Sequence, residues 1–303
     1  MSQPALSRYW SETENQGRGY LRPSTGERVP GVTSITGLVD KNLAQYGADK
    51  TIEWMVQNWH QWNPGGKSDE AATNHAKYRW KDHRNERGAI GTDVHNYIED
   101  TILGRGPFLE ELDAEQQMMV LNWEDFNFTT GIEYTHTEAQ VWGGDYAGTL
   151  DAYGKMYSDR LGRMANGIVD WKTSKACYYE YFMQLAGLKN ADFRFEELTD
   201  PGIIEAAKLA GLAHPAEQKT DNGIVTTWWV EEPQPEVETA WIVHLTSDGW
   251  DVFELDSEEL HLARFNAYKA AWWAEKHLKE QLSPLGKKLD RPISWTDPKK
   301  KGV

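Results

Sequence analysis

Two aspartates and a lysine lie close together near the middle of the 303-residue chain. Asp151 ends the string Gly148–Thr149–Leu150–Asp151, and Asp170 and Lys172 bracket Trp171 in Ile168–Val169–Asp170–Trp171–Lys172. If both strings are strands joined by a turn in Ser158–Arg163, centred between residues 160 and 161, Asp151 falls opposite Asp170. The two-residue period of a strand then puts Asp170 and Lys172 on one face and Trp171 on the other. Adjacent carboxylates repel, and one is driven to its protonated form unless a cation lies between them. A divalent ion such as Mg2+, which prefers oxygen ligands and phosphate, resolves that conflict. The lysine can hold a phosphate oxygen or orient an attacking water, so the set suits metal-assisted phosphodiester hydrolysis. The plain alternative is a salt-bridged Asp–Lys pair on a solvated sheet face. The apolar lead-in Ile168–Val169 favours the catalytic reading. So does Gly148, whose missing side chain lets a backbone or ligand approach closely.

The elements that position these residues follow from period and punctuation. His136–Trp142, Tyr146–Tyr157 and Met164–Thr173 read as antiparallel strands. Over Ala89–Leu103, Ile90, Val94, Tyr97, Ile98 and Ile102 fall on helical spacing, and His95 sits at the edge of that stripe, pointing inward. The stretch before it, Asp69–Arg87, interleaves Lys77, Arg79, Lys81, Arg84 and Arg87 with Tyr78 and Trp80. Such a stretch can grip phosphates and stack bases. Asp82 and Glu86 within it make a solvated helix face an equal reading. Lys175, at a strand-to-helix junction, is the better candidate for a phosphate contact.

Further helices are expected over Asp113–Phe126 and about Lys175–Asp192, with two short ones after N-caps at Thr33 and Ser34. Asn63–Gly66 reads as a loop, and residues 199–222 as a loop with a short helix. Gly223–Glu231, Thr239–Leu245 and Trp250–Leu255 read as strands. Asp256 with Glu259 opens a long amphipathic helix to about Gln281 in the manner of a capping box. Residues 1–30 read as an irregular arm, 31–285 as one domain with its catalytic core at about 88–192, and 286–303 as a tail. The order predicts an α/β fold, a central mixed β-sheet flanked by helices with helical N-terminal additions.

A net charge of −15 argues against a surface that coats duplex DNA, but leaves room for a narrow basic cleft. The single cysteine, Cys177, excludes a disulfide within the chain, a four-cysteine zinc site and a cysteine-ligated iron–sulfur cluster. No apolar run is long enough to span a bilayer, and the N-terminus lacks a signal pattern, so a soluble, cytoplasmic protein is expected. The fifteen tryptophans read mostly as packing residues, among them Trp228, Trp229, Trp241 and Trp250 on strands and Trp272 and Trp273 on the last helix.

Gly148-Thr-Leu-Asp151, then Val169-Asp-Trp-Lys-Thr173, then Gln184 in the following helix resembles the PD-(D/E)XK nuclease superfamily, and within it the RecB-like exonuclease branch. Gly91–Thr92–Asp93–Val94–His95 resembles that branch's Gly-Thr-x-x-His motif, and Glu138 matches its acidic residue before Gly-x-x-Asp. The elements run in the family's order from about residue 88 to 190. Val29–Pro30–Gly31–Val32–Thr33–Ser34–Ile35 is similar to the N-termini of phage-type relatives and of the mitochondrial genome maintenance exonuclease.

The resemblance implies a restriction-endonuclease-like core and a metal-dependent DNA exonuclease acting in recombination, repair or processing. It implies one or two Mg2+ or Mn2+ ions on His95, Asp151, Asp170 and the Trp171 carbonyl. Lys172 would position the water, Gln184 would hold substrate or brace the lysine, and Glu138 would support the site. Because imidazole binds Mn2+ better than Mg2+, manganese is expected to serve at least as well. The family often has Tyr four residues after the Gln. Leu188 stands there, and Tyr181 lies on the same helical face. Implied partners are DNA with a free end and a single-strand-binding or recombinase protein, in host cytoplasm if the chain is phage-encoded. Competing classes are a structure-specific endonuclease, a non-catalytic DNA-binding protein on a nuclease fold, and a paired-carboxylate glycoside hydrolase with tryptophans lining a sugar groove.

Overall fold

Three short strands, β1 (Arg8–Tyr9), β2 (Gly19–Leu21) and β3 (Arg28–Pro30), open the chain and pair antiparallel in a small sheet. The computed structural model describes residues 8–9, 19–22, 24–39, 43–62, 70–220 and 223–288. The expected irregular arm is therefore partly a sheet. Its polar composition hides the strands, because few of its residues pack inward: Val29 is buried, and Tyr20 meets Trp142 edge-on. Helix α1 (Val32–Thr36) begins before Thr33 with Gly31 as an N-cap that makes no side-chain bond. Val32 and Ile35 are buried in the core, so tertiary packing rather than capping holds this short helix.

Helices α2 (Leu43–Gln57) and α3 (Trp59–Trp62) follow, and the expected Asn63–Gly66 loop lies outside the described residues. The basic stretch and the His95 stretch then form one helix, α4 (Glu70–Ile102), about 50 Å long. No proline or cap interrupts it, and α2 covers its N-terminal half. The Trp80 ring lies against Gly47, and the Tyr46 hydroxyl bonds His83 Nδ1 at 2.7 Å. Helix α5 (Ala114–Thr130) starts with a reciprocal capping box between Asp113 and Gln116 and stops at Gly131, whose φ is 61°.

The remaining elements are β4 (Glu133–Trp142), β5 (Ala147–Ser158), β6 (Arg163–Lys172), α6 (Tyr179–Lys189), β7 (Phe193–Leu198), α7 (Pro201–Leu209), β8 (Ala213–Thr220), β9 (Gly223–Pro233), β10 (Thr239–Leu245), β11 (Trp250–Glu254) and α8 (Glu258–Lys288). They build an eight-stranded sheet in the order β11-β10-β6-β5-β4-β7-β9-β8. Strands β6 and β10 are parallel and the other neighbours antiparallel, so the sheet is mixed as expected. Strand β7 fills a stretch for which no element was expected, and β8 corrects the reading of its segment as loop. Strand β8 lies at the sheet edge and contains Pro215, which only an edge tolerates. Helix α8 opens on the Ser257 carbonyl, which accepts from Leu260 and His261, one residue later than Asp256 predicted. It runs past Gln281 to Lys288, and the rest of the expected tail lies outside the described residues.

Helices cover both faces of the sheet. On one, α1, α6 and α8 pack Ile35, Leu188 and Phe265 over Leu150, Ile168 and Ile242. On the other, α4 and α5 pack Val94, Ile98 and Phe126 over Val169, Trp171 and Trp241. Trp123, Trp142, Trp171, Trp229 and Trp241 are buried, so they fill core rather than line an open groove. Among the described residues no helix is long and apolar enough to cross a membrane.

Candidate active site

Strands β5 and β6 pair in the predicted register, from Ala152 opposite Val169 to Ser158 opposite Arg163. The turn between them is fixed from outside. Glu254 accepts from Ser158 Oγ (2.5 Å), Thr239 Oγ1 (2.7 Å) and the Arg160 amide (3.2 Å). One step beyond the ladder's last pair, the same register sets Asp151 against Asp170. There the ladder stops, and Asp151 Oδ2 accepts the Trp171 amide at 2.7 Å. On the other side of β5, Thr137 pairs with Ala152 and Ala139 with Leu150, leaving Glu138 opposite Asp151. Glu138 has φ 49°, left-handed backbone that costs a side-chain-bearing residue about 1–2 kcal/mol. Three carboxylates, Glu138, Asp151 and Asp170, thus share one row across three neighbouring strands.

The strand is irregular at this row. Leu150 packs with the α6 face and Ala152 with the α4 face, although residues two apart in a regular strand share a face. The break frees the Asp151 carboxylate to reach both the Trp171 amide and helix α4. His95 Nδ1 lies 3.6 Å from Asp151 Oδ1, and its ring meets Trp171 edge-on at 6.0 Å. Gly91, one turn earlier, explains the close approach of α4: a Cβ there would lie 2.8 Å from Thr173 Oγ1. On the opposite face Lys172 Nζ pairs with Asp170 Oδ2 and sits 5.3 Å from the Tyr181 ring centre. Trp171 packs with Val169 under α4 and α5, so the predicted split of faces holds.

Electrostatics separate the two aspartates. Burial pushes the Asp170 carboxyl up to about 6, reinforced by Asp151 and opposed by the Lys172 ammonium. Burial pushes Asp151 up too, but His95, Lys172 and the Trp171 amide outweigh it and hold Asp151 below its usual value. His95 is raised, since the pull of Asp151 exceeds the effect of burial. Lys172 is likewise raised, with Asp170 and Asp151 overcoming its desolvation. Neighbouring carboxyls pushed in opposite directions are common at catalytic sites and also occur in structural ion-pair networks.

Two carboxylates and an imidazole fit a hard divalent ion that tolerates nitrogen, such as Mn2+. Among the described residues, however, no three His, Cys, Asp or Glu side chains converge as a metal-holding group. His95 and Asp151 form one pair, while Asp170 turns to Lys172.

Other expected residues divide. No hydrogen bond joins Gln184 of α6 to Lys172 or to either aspartate, and Tyr181, nearly one turn earlier, supplies the contact to the lysine. Gly148 serves packing rather than ligand approach, because Leu188 and Val32 fill the space where its Cβ would go. Lys77, Tyr78, Arg79, Trp80 and Lys81 lie about 20–27 Å along α4 from His95. Arg79 is paired with Glu86 (2.9 Å), and the Trp80 ring lies against Gly47 of α2, with both residues partly exposed. Tyr78 stays exposed with Lys77 and Lys81 near its ring. Lys175 is exposed where β6 leads to α6.

Two supports were assigned no such role from sequence. His244 Nε2 donates to the Ser174 carbonyl at 2.6 Å, from the position on β10 that pairs with Lys172. Arg87 joins Glu115 (2.7 Å) and reaches the Thr173 carbonyl (3.5 Å). A parallel pairing between strands some 70 residues apart leaves no local signal for His244. Compared with models of known protein families the chain matches none, and no curated protein matches it either.

Proposed function

We propose that the chain is a divalent-metal-dependent DNA nuclease of restriction-endonuclease-like architecture that works from DNA ends. The observation that carries the reading is the row of Glu138, Asp151 and Asp170 across β4, β5 and β6, flanked by Lys172 and His95. A solvated ion pair does not need two further carboxylates buried or half-buried beside it.

His95, Asp151, Asp170 and the Trp171 carbonyl would hold the ion, with Glu138 at the edge of the row. When bound, the ion polarises the scissile phosphate and neutralises the carboxylates. Asp151 is kept ionised by the Trp171 amide and His95, ready to act as an anionic donor. With Asp170 serving as a ligand, the Lys172 ammonium would be free to bind a phosphate oxygen or to orient the attacking water. The Tyr181 ring confines that ammonium to the site. Trp171, buried beneath His95, closes the α4 side to water. Preference for ends, and action in the cytoplasm of a cell or of a phage's host, belong to the resemblance rather than to the geometry.

Linear and covalently closed circular DNA, incubated with the protein and Mn2+, test the reading. Linear DNA should disappear while circles persist. Equal loss of both would overturn end dependence, and loss of neither would overturn the nuclease.

A further inference from the structure

The segment between β6 and α6, residues 173–178, is anchored from both sides. Arg87 holds the Thr173 carbonyl from α4, and His244 holds the Ser174 carbonyl from β10. From this braced connection α6 raises two tyrosines beside the lysine. The Tyr181 ring centre lies 5.3 Å from Lys172 Nζ, and the Tyr178 ring packs edge-on to Tyr181 with centres 5.6 Å apart. Each gap is shorter than two stacked-base rises of about 3.4 Å, so both rings lie within the first few nucleotides of a phosphate held at the amine.

Tyr178 is 43% exposed. Among the described residues it makes no other ring or cation contact, whereas its neighbour Tyr179, similarly exposed, already carries the Arg264 guanidinium 4.5 Å from its ring centre. Lys175, three residues before Tyr178, is exposed on the same braced segment. An exposed ring on a braced segment, backed by a second ring that itself carries the Lys172 ammonium, matches the way proteins hold an unpaired base and its phosphate.

We infer that Tyr178, with Tyr181 behind it, is a stacking platform for an unpaired nucleobase of the strand being cut. The site therefore takes DNA that is single-stranded or frayed at that nucleotide. A base inside a duplex already has both faces stacked and cannot cover a tyrosine without leaving the helix. The inference rests on the nuclease reading and deepens it by naming the form of the substrate.

The test is binding of a single-stranded oligonucleotide carrying 2-aminopurine near its end, followed by fluorescence in EDTA so that nothing is cut. A blunt duplex of the same sequence serves as comparison. Tyr178→Ala should weaken single-strand binding about tenfold and abolish the quenching that reports stacking, and Tyr178→Phe should stay within about twofold of wild type. Duplex binding should not change. With Mn2+, Tyr178→Ala should lower the ratio of single-strand to duplex cleavage by a similar factor. Equal binding by wild type and Tyr178→Ala, or equal loss on both substrates, would overturn the platform. Quenching by wild type without any cleavage in Mn2+ would overturn the nuclease reading and leave the platform standing.

Discussion

On the proposed nuclease reading, Asp170→Asn and Lys172→Met should each reduce DNA hydrolysis by about a thousandfold or more, because each would remove a group proposed to act at the reacting phosphate. Their effects on stability differ. Asp170 is 1% exposed, and Lys172 is its partner. Removing the lysine strands a buried carboxylate, which costs about 3 kcal/mol near pH 8. The sign of the pH dependence follows from the raised carboxyl. Burial already lifts Asp170 to about 6, and loss of the ammonium lifts it further. A folded state that binds the proton more tightly than the unfolded chain loses stability as pH rises through that window. In EDTA, Lys172→Met should therefore match wild type most closely near pH 5 and fall behind as pH passes about 6. Asp170→Asn combined with Lys172→Met should recover most of the stability and none of the activity. Urea unfolding at pH 5 and pH 8 reads the first effect, and hydrolysis of labelled DNA reads the second. A double variant as unstable as Lys172→Met would contradict the buried pair.

Gly148→Val carries the largest expected effect on the fold away from the chemistry. Even a Cβ at position 148 would lie 2.5 Å from Leu188 Cδ2 and 3.0 Å from Val32 Cγ2. Both neighbours are fully buried, Leu188 under α8 and Val32 at the start of α1, so neither has free space to enter. Overpacking of this kind costs about 3 kcal/mol. Leu188→Ala alone costs about 2–5 kcal/mol by opening a cavity, but in the Gly148→Val background the new methyls occupy that cavity. The two changes should be far from additive in a double-mutant cycle. Thermal unfolding of the four proteins gives the coupling, and strict additivity would show that the side chains do not meet.

Gly148 also shows where sequence reading reaches its limit. A glycine two residues before a strand's turning point signals close approach, but not what approaches. The partner proved to be Leu188, at the place where the family pattern carries tyrosine. Gln184 was placed by the same pattern and makes no hydrogen bond to Lys172 or the aspartates, while Tyr181 is the α6 side chain that reaches the lysine. The β5–β6 register was legible because it is local: a short polar turn between two apolar strands leaves one pairing that keeps both faces consistent. His95 was legible because helical period alone turns it inward. The continuity of α4 was not, since the cover of its polar half comes from α2, nearly 40 residues away. Strands β7 and β8 lack alternation and owe their state to β4 and β9. His244 depends on the parallel pairing of β10 with β6, which no local pattern announces.

The net −15 includes Glu138, Asp151 and Asp170, which stand in one row, and Arg79 and Arg87 of α4 are paired with acids. What remains positive beside the carboxylate row is Lys172, with Lys175 exposed on the connection that follows it.

Release of label from end-labelled linear DNA, followed in Mn2+, in Mg2+ and in EDTA, tests the site most directly. Wild-type protein should release label in Mn2+ at least as fast as in Mg2+ and not at all in EDTA, and Asp170→Asn should release none in any of the three. Release that survives EDTA, or that Asp170→Asn leaves untouched, would show that the carboxylate row is not where the chemistry occurs.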